Sequence, residues 1–296
     1  MVAYVVEALD DVKLSCGEPL KSMDWMSPFV WEDATGIRIM VRGVPDPLGP
    51  TDPTGVIWSG TSSDGLTFMM SDTPAIDPGP DPASAGGVED PTVVVQNDGV
   101  MVFYTGVDGA RQQGSMLVAS GQDLDHLEQR AVMLKAPEGE GNIKEATLAQ
   151  AADGSWRLFY EYAQSNASRI GLARAPDLGG EWQPIDDPFT VREDGWDNWH
   201  LSTGPMVQVA GQDPVMFYNG ATADARWRIG WVSFDADFSR VTGRGLEPVL
   251  MPPPAKDRFA TDIAFAASAL VKDDLIYLYY SLEDRRLARA TIRRFG

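Results

Sequence analysis

Cysteine, histidine and positive charge are scarce in this chain. A single cysteine, Cys16, stands among 296 residues, so there is no disulfide framework and no cysteine zinc site. The two histidines, His126 and His200, lie 74 positions apart, and neither HExxH nor a comparable metal-ligand spacing occurs. Lys and Arg number 24 against 43 Asp and Glu, a formal charge of −19 at neutral pH. Nucleic acid and anionic membrane surfaces both demand clustered basic residues to meet their phosphates, so the acid excess argues against both partners. No apolar run approaches the roughly 18 residues that a bilayer span needs. Residues 1–7, Met-Val-Ala-Tyr-Val-Val-Glu, carry no basic leader and no small-residue cleavage site. They read as a strand of the fold rather than a signal peptide, with a cytoplasmic location as the corresponding expectation.

What the chain does have is an internal repeat. An apolar, aromatic phrase recurs as Ile37-Arg-Ile-Met-Val-Arg-Gly43, Val100-Met-Val-Phe-Tyr-Thr-Gly106, Trp156-Arg-Leu-Phe-Tyr-Glu-Tyr162, Pro214-Val-Met-Phe-Tyr-Asn-Gly220 and Leu275-Ile-Tyr-Leu-Tyr-Tyr-Ser281. Alignment on Val41, Tyr104, Tyr160, Tyr218 and Tyr280 gives spacings of 63, 56, 58 and 62 residues. Another apolar run precedes most copies and ends in a polar turn such as Asn97-Asp-Gly99 or Ala152-Asp-Gly154. An Asp-Gly pair between apolar runs is a strong hairpin signal, because Gly accepts the positive φ of tight turns. A third run follows each phrase, and a weaker fourth strand follows Asp64-Gly65, Asp123-Leu124 and Asp177-Leu178. Three or four antiparallel strands repeated five times predict an all-β, five-bladed β-propeller spanning residues 1–296 as one domain. The Pro/Gly/Asp-rich stretches 44–55 and 72–87 read as long loops between strands.

In a propeller the innermost strand of each blade passes the central cavity, so residues near those strand starts converge. The five starts carry Asp24-Trp-Met-Ser27, Glu89-Asp90-Pro91, Lys144-Glu145, Trp196-Asp-Asn-Trp-His200 and Thr261-Asp262. Carboxylates therefore recur at three mouths as Asp90, Glu145 and Asp262, beside aromatic groups in a fourth. Each carboxylate alone can equally cap strand-start N–H groups; three at equivalent positions point to a site. Glycoside cleavage needs one carboxylic acid to protonate the leaving oxygen and a second carboxylate to activate water or attack. Aromatic faces stack on pyranose rings while polar neighbours bond their hydroxyls. Trp25 reads either as pocket lining or as packing, and His200 either as a substrate donor or as a structural histidine. Arg169, Arg228 and Arg286, which recur before the third strands, are expected to pair with acidic neighbours.

Gly87-Val-Glu-Asp-Pro91, preceded by Ser59-Gly-Thr-Ser-Ser-Asp-Gly-Leu-Thr-Phe68 and followed by Ser202-Thr-Gly-Pro205 and Phe217-Tyr-Asn-Gly220, resembles glycoside hydrolase family 130. These are five-bladed propellers acting on β-mannosides by phosphorolysis or hydrolysis, and families 43 and 32 share the architecture. The resemblance implies a small β-linked, mannose-type oligosaccharide as partner, with Asp90 as proton donor. Asp90 then needs a raised pKa, which burial beside Glu89 supplies. The substrate-contact set is Trp25, Arg42, Glu89, Lys144, Trp199, His200, Asn219 and Arg228. Where the family's phosphorylases carry a basic cluster for phosphate, this sequence has Thr92, Glu161 and Asn219, which removes the guanidinium fork that binds phosphate well. Hydrolysis by an inverting route is the expectation, with Glu145 or Asp262 activating water. A phosphorylase with a rebuilt anion site and a sugar-binding propeller without activity are the alternatives. No cofactor and no metal are called for, although an acidic mouth has the chemistry to hold a hydrated calcium ion.

Overall fold

The computed structural model describes residues 2–18, 20–79, 81–96, 99–136, 141–257 and 260–296. It is an all-β, five-bladed propeller with four antiparallel strands to a blade. Blade one comprises Met23–Asp33, Gly36–Pro45, Val56–Ser62 and Thr67–Met70. Blade two comprises Gly87–Gln96, Gly99–Val107, Gly114–Gly121 and Leu127–Leu134. Blade three comprises Gly141–Gln150, Trp156–Gln164, Ala167–Ala175 and the short Gln183–Ile185.

Local chemistry explains the hairpins. Asp33 accepts the Thr35 N–H at 2.8 Å ahead of Gly36 at φ 128°, and Asp153 accepts the Ser155 N–H at 2.9 Å around Gly154 at φ 84°. Each is an Asx turn closed by a glycine in left-handed backbone. Asp64 accepts the Leu66 and Thr67 N–H groups, and those bonds pull its pKa down to about 2. The predicted turn residues Asn97 and Asp98 lie outside the described residues.

Blade five is finished by the other end of the chain. Its strands Ala264–Lys272, Leu275–Leu282 and Arg286–Phe295 are joined by the N-terminal strand Ala3–Ser15, which pairs antiparallel with Arg286–Phe295 from Ala3↔Phe295 to Val12↔Leu287. Beyond Val12 the same strand runs parallel to blade one, Lys13↔Thr67 to Ser15↔Met69. One strand thus completes the last blade and sews it to the first, which protects both edges.

Blade four is broken in mid-strand. Its inner strand is split into His200–Ser202 and Met206–Val207, the next into Val215–Met216 and Asn219–Ala221, and the third into Trp227–Ile229 and Val232–Phe234, with Val241–Arg244 outermost. The interruption falls at Thr203-Gly204-Pro205, where the Phe217 carbonyl leaves no room for a Cβ on Gly204. Trp196 covers Gly220 and Gly230 and stacks on Tyr218 at 5.6 Å.

Among the described residues the hydrophobic core lies between blades, in five clusters that fill the five seams. Trp31, Met40 and Ile57 meet Val88, Val102 and Tyr104 between blades one and two. Phe159 meets Met216, Phe234 and Phe238 between three and four. The remaining seams are filled in the same way. Each fully buried aliphatic or aromatic side chain contributes about 1.5–3 kcal/mol, so the ring is held by its seams as much as by its sheets.

Candidate active site

Every inner strand loses register where it passes the axis. The slips fall between Met26 and Phe29, Glu89 and Thr92, Lys144 and Thr147, and Ala266 and Ser268. In blade four the strand stops there altogether, between Ser202 and Met206. A bulge adds one residue, breaks the in–out alternation and re-aims a side chain. Here it places Ser27, Asp90, Glu145, Thr203 and Ala266-Ala267 around one narrow void. Three of them hold left-handed backbone, with φ of 51° at Ser27, 54° at Asp90 and 52° at Glu145. Such strain costs on the order of 1–3 kcal/mol per residue and persists only where surrounding structure enforces it.

The enforcement comes from hydrogen bonds between neighbouring bulges. Thr92 donates to the Ala146 carbonyl at 2.6 Å, Thr147 to the Gly204 carbonyl at 3.0 Å, and Ser268 to the Pro28 carbonyl at 2.7 Å. Each hydroxyl sits two residues past the bulge and reaches the next blade. Blade one instead uses Ser27, whose hydroxyl donates to Asp90 Oδ1 at 2.7 Å. Blade four uses Asn219, bonded to Thr203 and to both backbone groups of Ala266.

The bulge also brings adjacent residues Glu89 and Asp90 into one charge network. Arg42 Nη2 donates to Glu89 Oε1 at 2.8 Å and Lys144 Nζ to Oε2 at 2.9 Å. Burial opposes ionisation of Glu89, but these two cations outweigh it and hold the carboxyl below its ordinary pKa. Asp90, 4% exposed, lies 3.7 Å from Arg42 Nη1. Burial and the charge of Glu89 raise its pKa against the opposing pull of Arg42, Lys144 and the Ser27 hydroxyl. Glu145 is half-buried on the wall of the void. Desolvation, Asp90 and Glu161 drive its pKa well above the ordinary value. Glu161, which accepts the Ser168 hydroxyl at 2.9 Å, is raised mainly by burial. Asp284, at φ 54° in the turn after Leu275–Leu282, is raised by burial and by Asp90 and Asp24, against Arg42. The arrangement is a cluster of carboxyl groups in which burial and neighbouring negative charge oppose ionisation of Asp90, Glu145 and Asp284.

Of the residues singled out in the sequence, Arg42, Glu89, Asp90, Lys144 and Glu145 come together here. Asp262 is held apart from them by Arg228, whose Nη1 donates to its Oδ1 at 2.7 Å at the seam of blades four and five. Trp25 is no pocket wall: it is 8% exposed and packs over Gly43 in the core between blades one and five. Asn219 is no substrate contact either, since it is fully buried and its amide is spent on backbone groups of blades four and five. Trp199 stands at the rim, 42% exposed, beside the half-buried His200. Glu161 and Asp284 join the site without having been assigned to it. The signal for Asp284 was the acidic pair Glu283-Asp284, one residue past the fifth repeat phrase. Among the described residues no group of three or more His, Cys, Asp or Glu has metal-binding geometry. A surface groove between blades two and three, around Gln96, His126, Asp177 and Trp182, holds none of these axial carboxylates.

A five-bladed propeller with a strained, carboxyl-lined axial site is the architecture of the sugar-cleaving propellers. Residues 54–294 match the glycoside hydrolase 130 family model, described as beta-1,4-mannooligosaccharide phosphorylase, and the chain belongs to that family. A 1,2-beta-oligomannan phosphorylase from Thermoanaerobacter sp. (strain X514) is 26% identical over 229 residues, covering 75% of this chain and 73% of the relative. The solved β-1,2-mannobiose phosphorylase from Listeria innocua, in complex with β-1,2-mannobiose, superposes with a TM-score of 0.75 at 17% identity, covering 97% of this chain and 91% of that one. Another solved structure, described by the statement that the GH130 family of mannoside phosphorylases contains glycoside hydrolases that target beta-1,2 mannosidic linkages in Candida mannan, gives a TM-score of 0.76 at 20% identity, with 91% and 84% covered.

Proposed function

We propose that this protein cleaves the β-mannosidic bond of small mannooligosaccharides, with Asp90 as proton donor and water, activated by Glu145, as the attacking group. The observation that carries the reading is the pairing of a buried carboxyl of raised pKa, Asp90, with a second, Glu145, across one void. Both carboxyls are raised, Glu145 more strongly, so the pair suits proton transfer, and the donor role goes to Asp90 by its place in the Glu89-Asp90-Pro91 motif rather than by its pKa. Glu145 suits the base role better than Asp262, which is already bound by Arg228.

Charge favours water over phosphate. The two cations facing Asp90, Arg42 and Lys144, are both ion-paired to Glu89. Glu161 adds a carboxylate on the Lys144 side, and Thr92 is occupied in the inter-blade tie. Bringing a phosphate dianion into this field costs repulsion, and Arg42 and Lys144 are already engaged by Glu89. Phosphorolysis is the second reading, and the relatives favour it: the family description and the Thermoanaerobacter and Listeria proteins are all phosphorylases. The hydrolases described within the family support the first.

The test is product analysis on β-1,2- and β-1,4-mannobiose with and without inorganic phosphate. Free mannose without phosphate, lost in Asp90→Asn, is the expected outcome. A mannose phosphate formed only when phosphate is supplied establishes the second reading instead.

A further inference from the structure

The inner strands share a pattern of ties, and it is broken where the acid sits. Just past the slips, Thr92, Thr147 and Ser268 each carry a hydroxyl that donates to a backbone carbonyl of the next blade. In blade one that position is Phe29, and the hydroxyl stands at the slip itself. Ser27 occupies the place that Asp90 holds in blade two and Glu145 in blade three. It donates to a carboxyl instead of a carbonyl: its Oγ lies 2.7 Å from Asp90 Oδ1. Ser27 is 6% exposed, with left-handed backbone at φ 51°. Glycine adopts that conformation freely, so glycine there relieves the strain but lacks the hydroxyl.

This bond decides which oxygen of Asp90 carries its proton. Among the described residues the Ser27 hydroxyl has no acceptor other than Oδ1, so its hydrogen is directed there. Arg42 Nη1 stands 3.7 Å from the same oxygen. A proton on Oδ1 would face both the hydroxyl hydrogen and the guanidinium, so Oδ1 is the carbonyl oxygen of the protonated carboxyl. Oδ2 takes no hydrogen bond from the described residues, yet it is not one of their sealed polar atoms left without a partner. It is the oxygen that opens on the site.

We propose that Ser27 is the positioning residue of the acid: it fixes Asp90 Oδ1 as an acceptor, leaves the transferable proton on Oδ2 and stabilises the carboxylate formed when that proton departs. This inference rests on the mannoside-cleaving reading above, in which Asp90 is the acid. In that step the bond from the anomeric carbon to the leaving oxygen breaks, and its electron pair stays on the oxygen, which takes the Oδ2 proton. Water bonds to the anomeric carbon and gives its proton to Glu145. Charge appears on Asp90 only as its proton leaves, so the Ser27 bond becomes charge-assisted in the transition state and is stronger there than in the ground state. The ionisable groups facing Asp90 are Arg42 from blade one, Glu89 beside it, Lys144, Glu145 and Glu161 from blade three, and Asp284 from blade five. All of them stay in place when Ser27 is replaced.

The experiment compares β-1,2-mannobiose with 2,4-dinitrophenyl β-mannoside, whose leaving phenolate needs no proton, in wild type, Ser27→Ala and Ser27→Gly. For mannobiose both variants are expected to lose about tenfold in kcat, the effect of one charge-assisted hydrogen bond. The dinitrophenyl mannoside stays within about twofold, because it does not call on the acid. The alkaline limb of kcat/KM for mannobiose moves to higher pH in both variants, since a carboxyl that has lost a donor to its anion holds its proton more tightly. A role in backbone conformation alone gives a different result: Ser27→Gly stays near wild type, or both substrates fall together. Either result, or an alkaline limb that stays in place, overturns the role of Ser27 and leaves the mannoside reading standing. A wild-type protein that turns over neither compound overturns the reading itself, and the role of Ser27 with it.

Discussion

Asp90 and Glu89 are chemically alike and adjacent, yet their surroundings drive them apart. Two cations hold Glu89 ionised, while burial beside that fixed negative charge favours the protonated form of Asp90. Replacing Asp90 by Asn removes the transferable proton and keeps the shape. Turnover of mannobiose is expected to fall by about 10²–10⁴-fold, the usual size of a general-acid contribution, with circular dichroism unchanged. Glu145 makes a second prediction. Its folded pKa lies above the unfolded value of about 4.3, so its stabilising share is complete below that value and is lost as pH rises through the raised one. Ionising it in the folded state therefore opposes folding. Glu145→Gln is expected to abolish hydrolysis while raising Tm at pH 7 by about 2–4 °C, as about 1 kcal/mol does in a chain near this size, and the gain shrinks toward pH 4. The same shift puts the acid limb of the wild-type kcat/KM profile above the ordinary carboxylate range, because the base must be ionised to act.

At the scale of strands, the site depends on one device used in every blade: a slip at the axis, secured by a tie to the next blade. Thr92→Val leaves the Ala146 carbonyl unpaired in the interior, and the expected cost is about 1–3 kcal/mol in denaturant unfolding. The exposed Thr61→Val is the control and stays within about 0.5 kcal/mol. Equal effects at the two positions contradict the tie. These slips also mark where sequence reading stopped. Hydrophobic phrases and Asp-Gly turns are local signals, so strand order and blade number were legible. Side-chain direction past a bulge is not local, because one inserted residue resets the alternation. Trp25, two residues before the slip at Ser27, therefore faces the core, and Asn219 faces the next blade. Glu161 reaches the site as the cross-strand partner of Lys144 in its own blade, whereas Asp284 reaches it because neighbouring blades approach one another, which no single repeat records. Asp90 was legible because its motif and its bulge coincide.

At the scale of the whole molecule, the ring closes through residues 3–15, which pair with both the last blade and the first. The sequence showed a strand there but not its partners, since pairing across nearly the full chain length leaves no local trace. Deleting residues 2–12 uncovers the edge of Arg286–Phe295 and parts blade five from blade one. Loss of a cooperative melting transition and association in size-exclusion chromatography are expected; a truncated chain that melts like the full one contradicts this closure. Closure matters to the chemistry because Ser27 in blade one bonds Asp90 in blade two, and Ser268 in blade five holds the backbone on either side of the blade-one slip, at Pro28 and Val30. The site exists only while all five blades hold their places.

The account's central claim is that water attacks a β-mannoside at this axis while Asp90 protonates the leaving oxygen. Proton NMR of the cleavage of methyl β-1,2-mannobioside, whose leaving methyl mannoside has a locked anomeric centre, tests it most directly in phosphate-free buffer in the first minutes before mutarotation. The account predicts α-mannose as the first product with wild-type enzyme and none with Asp90→Asn. Initial release of β-mannose, or cleavage that begins only once phosphate is added, contradicts it.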